Sequence, residues 1–154
     1  MSRLLPALLV ASCAALPGCA EDDTAVMVHV CLGLDVPGDV SFVRIVVDDL
    51  ARPELAHVFP VPGGATWVTY SVRPGVDLAA EEDFFLSVLG LSDSGAQRIS
   101  RTVHTWFSPG VDRDVALFLE PACLDVVCRE GETCGAGVCE PVTLVDDASC
   151  PGEH

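Results

Sequence analysis

The stretch AVMVHVCL, residues 25–32, carries an aliphatic side chain at every second position. Successive side chains of an extended strand point to opposite faces. Val26, Val28 and Val30 would therefore share one face, and His29 and Cys31 would share the other. Alternation of this kind predicts a β-strand with one face packed against a core.

Six further runs rich in Val, Phe, Thr and Tyr follow before residue 120, and Pro-Gly or Asp-x-Gly turn signals separate them. Their spacing predicts short strands joined by tight turns. The run 84–91 is apolar on both faces, which is typical of a central strand. The predicted strands cover residues 26–32, 43–47, 55–59, 68–72, 84–91, 99–107 and 115–119.

Seven strands of this length predict an all-β fold over residues 26–120. The expected architecture is a seven-stranded antiparallel sandwich that resembles either an immunoglobulin-like or a transthyretin-like domain. A competing prediction places a helix over residues 78–91, because Asp77 could cap it and residues 79–82 favour helix.

The chain contains eight cysteines, and six of them lie beyond residue 30. An even number of cysteines in an oxidising compartment predicts three disulfides, although six cysteines allow fifteen pairings. Five of the six lie in the C-terminal segment and cannot all pair among themselves, so Cys31 is expected to pair with one of them. Such a bridge would close a loop of roughly 90 residues or more and stabilise the fold by about 4 to 5 kcal/mol. The six cysteines are Cys31, Cys123, Cys128, Cys134, Cys139 and Cys150.

Residues 121–154 predict a small Cys-rich module. Too few residues are present to bury a core, so covalent cross-links are expected. Residues 128–139, with three glycines between cysteines, resemble the EGF-like and related Cys-rich hairpins of bacterial surface proteins. A zinc site would typically use Cys-x-x-Cys pairs, and the sequence contains none. We therefore expect neither a metal nor a cofactor.

The N-terminus has the layout of an export signal. Arg3 precedes an apolar run over residues 4–16, and small residues follow. The run is shorter than the roughly 20 apolar residues that a spanning helix needs. The four residues that end it are Leu16-Pro17-Gly18-Cys19.

These four residues resemble the signal of bacterial lipoproteins, in which a Leu lies three positions before a lipid-modified Cys and a small residue directly precedes it. The resemblance implies that Cys19 carries a diacylglycerol; Pro17 departs from the usual pattern. Two or more acyl chains would anchor the protein stably. The alternative is ordinary signal peptidase cleavage after Ala20, which would release the protein. The predicted segments are a lipoprotein signal peptide over 1–18, an acidic tether over 19–25, a β-sandwich over 26–120 and a Cys-rich module over 121–154.

The formal net charge is −15, from 23 acidic and eight basic residues. An acidic surface of this kind argues against a nucleic-acid partner, because binding nucleic acid requires a basic footprint. Scattered acidic residues of this kind usually keep a surface soluble.

Sequence motifs give no sign of catalysis. The chain lacks Gly-x-Ser-x-Gly, His-Glu-x-x-His and phosphate-loop patterns. His29 and His104 could face each other across a sheet, although packing roles are favoured. Calcium would require several convergent oxygens, and the acidic pairs have no EF-hand spacing. Isolated surface aromatics are normal, so packing is also favoured over a binding platform for the two tryptophans. The remaining residues considered are His57, His154, Asp48, Asp49, Glu81, Glu82, Asp83, Trp67 and Trp106.

The sequence therefore predicts a non-catalytic lipoprotein of the cell envelope, a binding or structural module held at the membrane by lipid on Cys19. It resembles short lipoproteins of Gram-negative bacteria, and Ala20 after the Cys favours the outer membrane. The expected partner, besides the membrane, is an envelope protein or a polysaccharide. The alternative is a freely secreted ligand-binding or inhibitor domain that uses the Cys-rich hairpin as its contact element.

Overall fold

The computed structural model describes residues 24–47, 56–74, 83–145, 148 and 150. The predicted signal peptide, Cys19 and most of the acidic tether lie outside these residues. Among the described residues, no helix is long and apolar enough to cross a membrane. The strands are β1 (Ala25–Leu32), β2 (Phe42–Val47), β3 (Ala56–Pro60), β4 (Trp67–Val72), β5 (Asp83–Leu91), β6 (Gln97–Trp106), β7 (Asp112–Leu119), β8 (Glu132–Gly135) and β9 (Val138–Pro141).

The first seven strands form two sheets, which confirms the predicted all-β sandwich. One sheet has the order β4-β1-β7 and the other β3-β2-β5-β6. The prediction of a wholly antiparallel sandwich misses one feature, since β1 pairs with β7 in parallel. Parallel neighbours need a long connection between them, and the five intervening strands supply it.

The strand order distinguishes between the two expected arrangements. In an immunoglobulin-like domain the first two strands lie side by side in one sheet. Here β1 and β2 belong to different sheets. The order therefore departs from the immunoglobulin-like arrangement.

The core lies between the two sheets and is made by the alternating positions that the sequence indicates. On β1 the three valines are fully buried, and the inward positions of β7 are buried in the same way. The helix considered for residues 78–91 does not form in its described part, because β5 pairs with β2 on one side and with β6 on the other. The inward side chains include Val26, Val28, Val30, Val43, Ile45, Leu86, Val88, Val103, Val115, Leu117 and Leu119.

Two adjacent phenylalanines of β5 show the two environments of this sheet. Phe84 is 1% exposed and packs on Phe107, with ring centroids 4.7 Å apart, whereas Phe85 is 46% exposed on the outer face. Phe84→Ala should lower the free energy of unfolding by about 3–5 kcal/mol, since it leaves a cavity. The matched Phe85→Ala should cost less than about 1 kcal/mol, as surface substitutions do. Denaturant titrations followed by tryptophan fluorescence measure both, and equal losses would contradict the assigned facing of β5.

Candidate functional site

The described part of the C-terminal segment begins with a cross-linked hairpin, which we call the cystine hairpin (residues 121–141). Disulfides join Cys123 to Cys134 and Cys128 to Cys139. Strands β8 and β9 meet at a turn in which Ala136 and Gly137 both have positive φ. A two-residue turn of this kind matches the twist of paired strands.

The cystine hairpin covers the free edge of β6. The backbone N–H of Asp125 donates to the carbonyl of Arg98 at 2.6 Å, and the N–H of Thr102 donates to Oγ1 of Thr133 at 2.8 Å. The Arg98 guanidinium also donates to both carboxylate oxygens of Asp125, at 2.8 and 3.0 Å. This hydrogen bonding lowers the pKa of Asp125. These contacts give hydrogen-bond partners to backbone groups of β6 that an uncovered edge would leave unpaired.

A second cation binds both strands of the hairpin. Arg101 on β6 donates to the carbonyl of Cys134 and, at 2.9 Å, to Oε1 of Glu140. Cys123 and Cys134 are buried in the same cluster as the sandwich valines. The first disulfide of the hairpin is therefore part of the main core.

The chain then continues as a C-terminal strap, residues 142–150, described at 142–145, 148 and 150. The N–H of His104 donates to the carbonyl of Thr143 at 3.1 Å, and the N–H of Val145 donates to the carbonyl of His104 at 3.0 Å. Farther along, the N–H of Ala148 donates to the carbonyl of Asp114 on β7 at 3.0 Å. The strap thus crosses from the edge of β6 to the edge of β7.

The strap ends on the outer face of the three-stranded sheet, where Cys150 forms a disulfide with Cys31. Both residues are buried and form a small cluster with Ala116 and Ala148. The sequence predicted a late partner for Cys31 without choosing it. The partner is the most distant cysteine, 119 residues away.

Removing this long-range disulfide should cost more than removing a local one. In the chain-entropy model the loop closed by Cys31 and Cys150 is worth about 5 kcal/mol, and the loop closed by Cys128 and Cys139 about 3. Denaturant midpoints of the two double alanine variants, compared with the wild type, measure the difference. A larger loss of stability on removing the Cys128–Cys139 disulfide would contradict the assigned link between Cys150 and Cys31 on β1.

A groove of about 750 Å³ lies between the outer face of the four-stranded sheet and the cystine hairpin. Its sheet side carries Phe85, Ser87, Ser100 and Thr102, and its hairpin side is formed by residues 126–133. The two hydroxyls of Ser87 and Thr102 are 2.8 Å apart. This groove is the candidate site, because it is concave and combines an exposed aromatic ring with several hydroxyl and charged side chains.

The rim of the groove is charged. Arg129, Glu130 and Glu132 line it, and the N–H of Arg129 donates to Oε2 of Glu132 at 3.3 Å. Val127 beside them is 92% exposed. The rim thus combines one cation with two carboxylates around an apolar surface.

The structure does not bring His29 and His104 together, although the sequence left that arrangement possible. His29 is on β1, where Asp114 lies 2.7 Å from Nε2 and Thr69 lies 3.3 Å from Nδ1. His104 belongs to the other sheet, and its Nε2 is 3.6 Å from Asp83. The hypothesis that the two histidines face each other across a sheet is therefore wrong. The residues His154, Asp48, Asp49, Glu81 and Glu82 lie outside the described residues.

The tryptophans also lie apart. Trp67 is 40% exposed on β4, whereas the Trp106 ring on β6 packs against the guanidinium of Arg113, 3.6 Å from the ring centroid. The two rings belong to different sheets, so they do not form one platform.

In the part of the chain that the structure describes, no three His, Cys, Asp or Glu side chains form a cluster suited to a metal ion. The six cysteines there are all disulfide-bonded, and none of them is a free thiolate that could bind zinc.

Sequence reasoning missed the groove and its exposed Phe85. That residue stands in a run that is apolar on both faces, where nothing distinguishes an exposed ring from a buried one. The only usable signal was the charged stretch between Cys128 and Cys134, which could not be placed against a sheet.

Comparison with known proteins gives no match: no family model, curated protein or solved structure is similar to this chain at a significant level.

Proposed function

We propose that this chain is a lipid-anchored, non-catalytic binding module of the cell envelope, held at the membrane through Cys19. The observation that carries the proposal is the set of three disulfides. Disulfides persist in oxidising compartments and are rare in the cytosol. They support export, which the N-terminal signal also predicts, and the Leu16–Cys19 pattern supports lipidation.

The groove supports a binding role. It adjoins the cystine hairpin, whose two disulfides hold the wall in place. A wall of fixed shape lowers the conformational entropy that a ligand must overcome on binding. A small domain tethered close to a bilayer would present such a groove to a partner in the envelope, either a protein or a polysaccharide.

The placement of the histidines favours a non-catalytic role. His29 hydrogen-bonds across its own sheet, and His104 and His57 lie on the two edge strands of the other sheet. Those edge strands are three strand spacings apart, roughly 14 Å. General acid–base catalysis needs groups within hydrogen-bond reach of one reacting atom.

A freely secreted module that binds through its hairpin is the second candidate. The residues of β9 are all exposed, and Val138 at the turn presents an apolar side chain to solvent. An exposed, cross-linked hairpin could contact a partner protein directly. This candidate needs no lipid.

Metabolic labelling with an alkyne fatty acid separates the two candidates. We expect label on the wild-type protein in the membrane fraction of a Gram-negative host, and we expect Cys19→Ser to lose it. Cys13→Ser is the matched control and should keep the label, since Cys13 lies inside the predicted signal peptide. Density-gradient separation should place the labelled protein in the outer membrane.

Two results would overturn the proposal. Unlabelled protein in the medium would favour the secreted alternative. Protein retained in the cytosol with Met1 intact would remove both candidates.

A further inference from the structure

We propose that the groove binds a segment of a neutral oligosaccharide chain. The inference deepens the proposed function, because it names the ligand of the binding module. It rests on the chemistry of the groove in four respects: an exposed aromatic ring, a row of hydroxyls, a rim with one cation and two carboxylates, and the size of the space.

The aromatic ring is that of Phe85. It lies on the outer face of β5, is 46% exposed and lines the groove. The His104 ring stacks on one face of it at 5.0 Å between centroids, with the planes 27° apart, so a sugar would contact the opposite face. An aromatic face carries partial negative charge and attracts polarised C–H groups. The flat face of a pyranose ring presents such C–H groups, whereas its hydroxyls point outward around the edge.

Hydroxyl groups follow the ring along the same face. Ser87 is two residues from Phe85, roughly 7 Å along the strand. Thr102 pairs with Ser87 across the two strands, and Ser100 lies two residues farther along β6. A hydroxyl both donates and accepts hydrogen bonds. Ser87 is only 6% exposed and its hydroxyl hydrogen-bonds that of Thr102 at 2.8 Å, so the half-buried Thr102 and Ser100 are the hydroxyls that would meet sugar hydroxyls.

The rim charges favour a neutral chain over an anionic one. Arg129 is the only cation that lines the described groove, and two carboxylates, Glu130 and Glu132, lie beside it. The whole chain has a net charge of −15, which would repel a polyanion. Carboxylates and guanidinium groups form strong, directional hydrogen bonds with neutral hydroxyl groups.

The size of the space fits this ligand. Pockets for small ligands usually measure about 300–1,000 Å³, and the groove, at about 750 Å³, lies within that range. The floor is shaped by small side chains and one flat ring, which suits a ring-shaped ligand.

Isothermal titration of the full-length protein in detergent micelles tests the inference. The probes are N-acetylchitohexaose, which stands for an N-acetylated envelope glycan, and cellohexaose, which stands for a glucan from outside the cell. A mannuronate hexamer is the anionic comparison. We expect one of the neutral probes to bind and the anionic one to bind at least about tenfold more weakly.

Matched variants locate the binding. Phe85→Ala should weaken binding about tenfold, through loss of a stacking surface, and Phe85→Trp should retain it. Phe118→Ala removes a similarly exposed ring, 41% exposed, from the other sheet and should change binding by less than about twofold. Near-identical melting curves would show that the variants are folded.

Three outcomes would overturn the inference: no binding of either neutral probe, equal effects of Phe85→Ala and Phe118→Ala, or tighter binding of the anionic hexamer. Lipid labelling on Cys19 with no sugar binding would leave the proposed envelope module intact and remove only its ligand. Sugar binding by an unlabelled protein would support the ligand and remove the lipid anchor.

Discussion

The disulfide between Cys31 and Cys150 ties the end of the described chain to its first strand, and the placement of the C-terminal strap depends on this tie. It holds the strap across the edges of β6 and β7, which would otherwise present unpaired backbone groups. Exposed edges of this kind favour pairing with other chains. The strap and the cystine hairpin together close one side of the sandwich by covalent and hydrogen bonds.

The cystine hairpin has a second consequence, since one face of it forms the wall of the groove. Two local disulfides fix its shape, and Arg98 and Arg101 bind it to β6. The Arg98–Asp125 pair is exposed, so its contribution is chiefly geometric. The cystine hairpin is too short to form a core of its own and packs against the four-stranded sheet. The groove is the space left between the two.

Much of the fold could be predicted from the sequence, because alternation of side chains is a local property. The alternation correctly predicted which valines of β1 are buried, and the run of apolar residues in β5 correctly predicted a central strand. It could not give strand neighbours, so the parallel pair of β1 and β7 was missed. Because five cysteines lie in the C-terminal segment, at least one of them must pair outside it, and Cys31 was the expected partner. The odd number does not show which of the five pairs with Cys31. The groove could not be predicted, because Phe85 and the hairpin meet only through the docking of distant segments.

Disulfide mapping tests the central tie most directly. A non-reduced proteolytic digest of the protein, purified without reductant and analysed by mass spectrometry, should contain one cross-linked peptide pair that joins Cys31 to Cys150. Two further links should lie within residues 123–139, joining Cys123 to Cys134 and Cys128 to Cys139. A free Cys31, or a Cys150 linked to one of the hairpin cysteines, would contradict the closure of the sandwich described here.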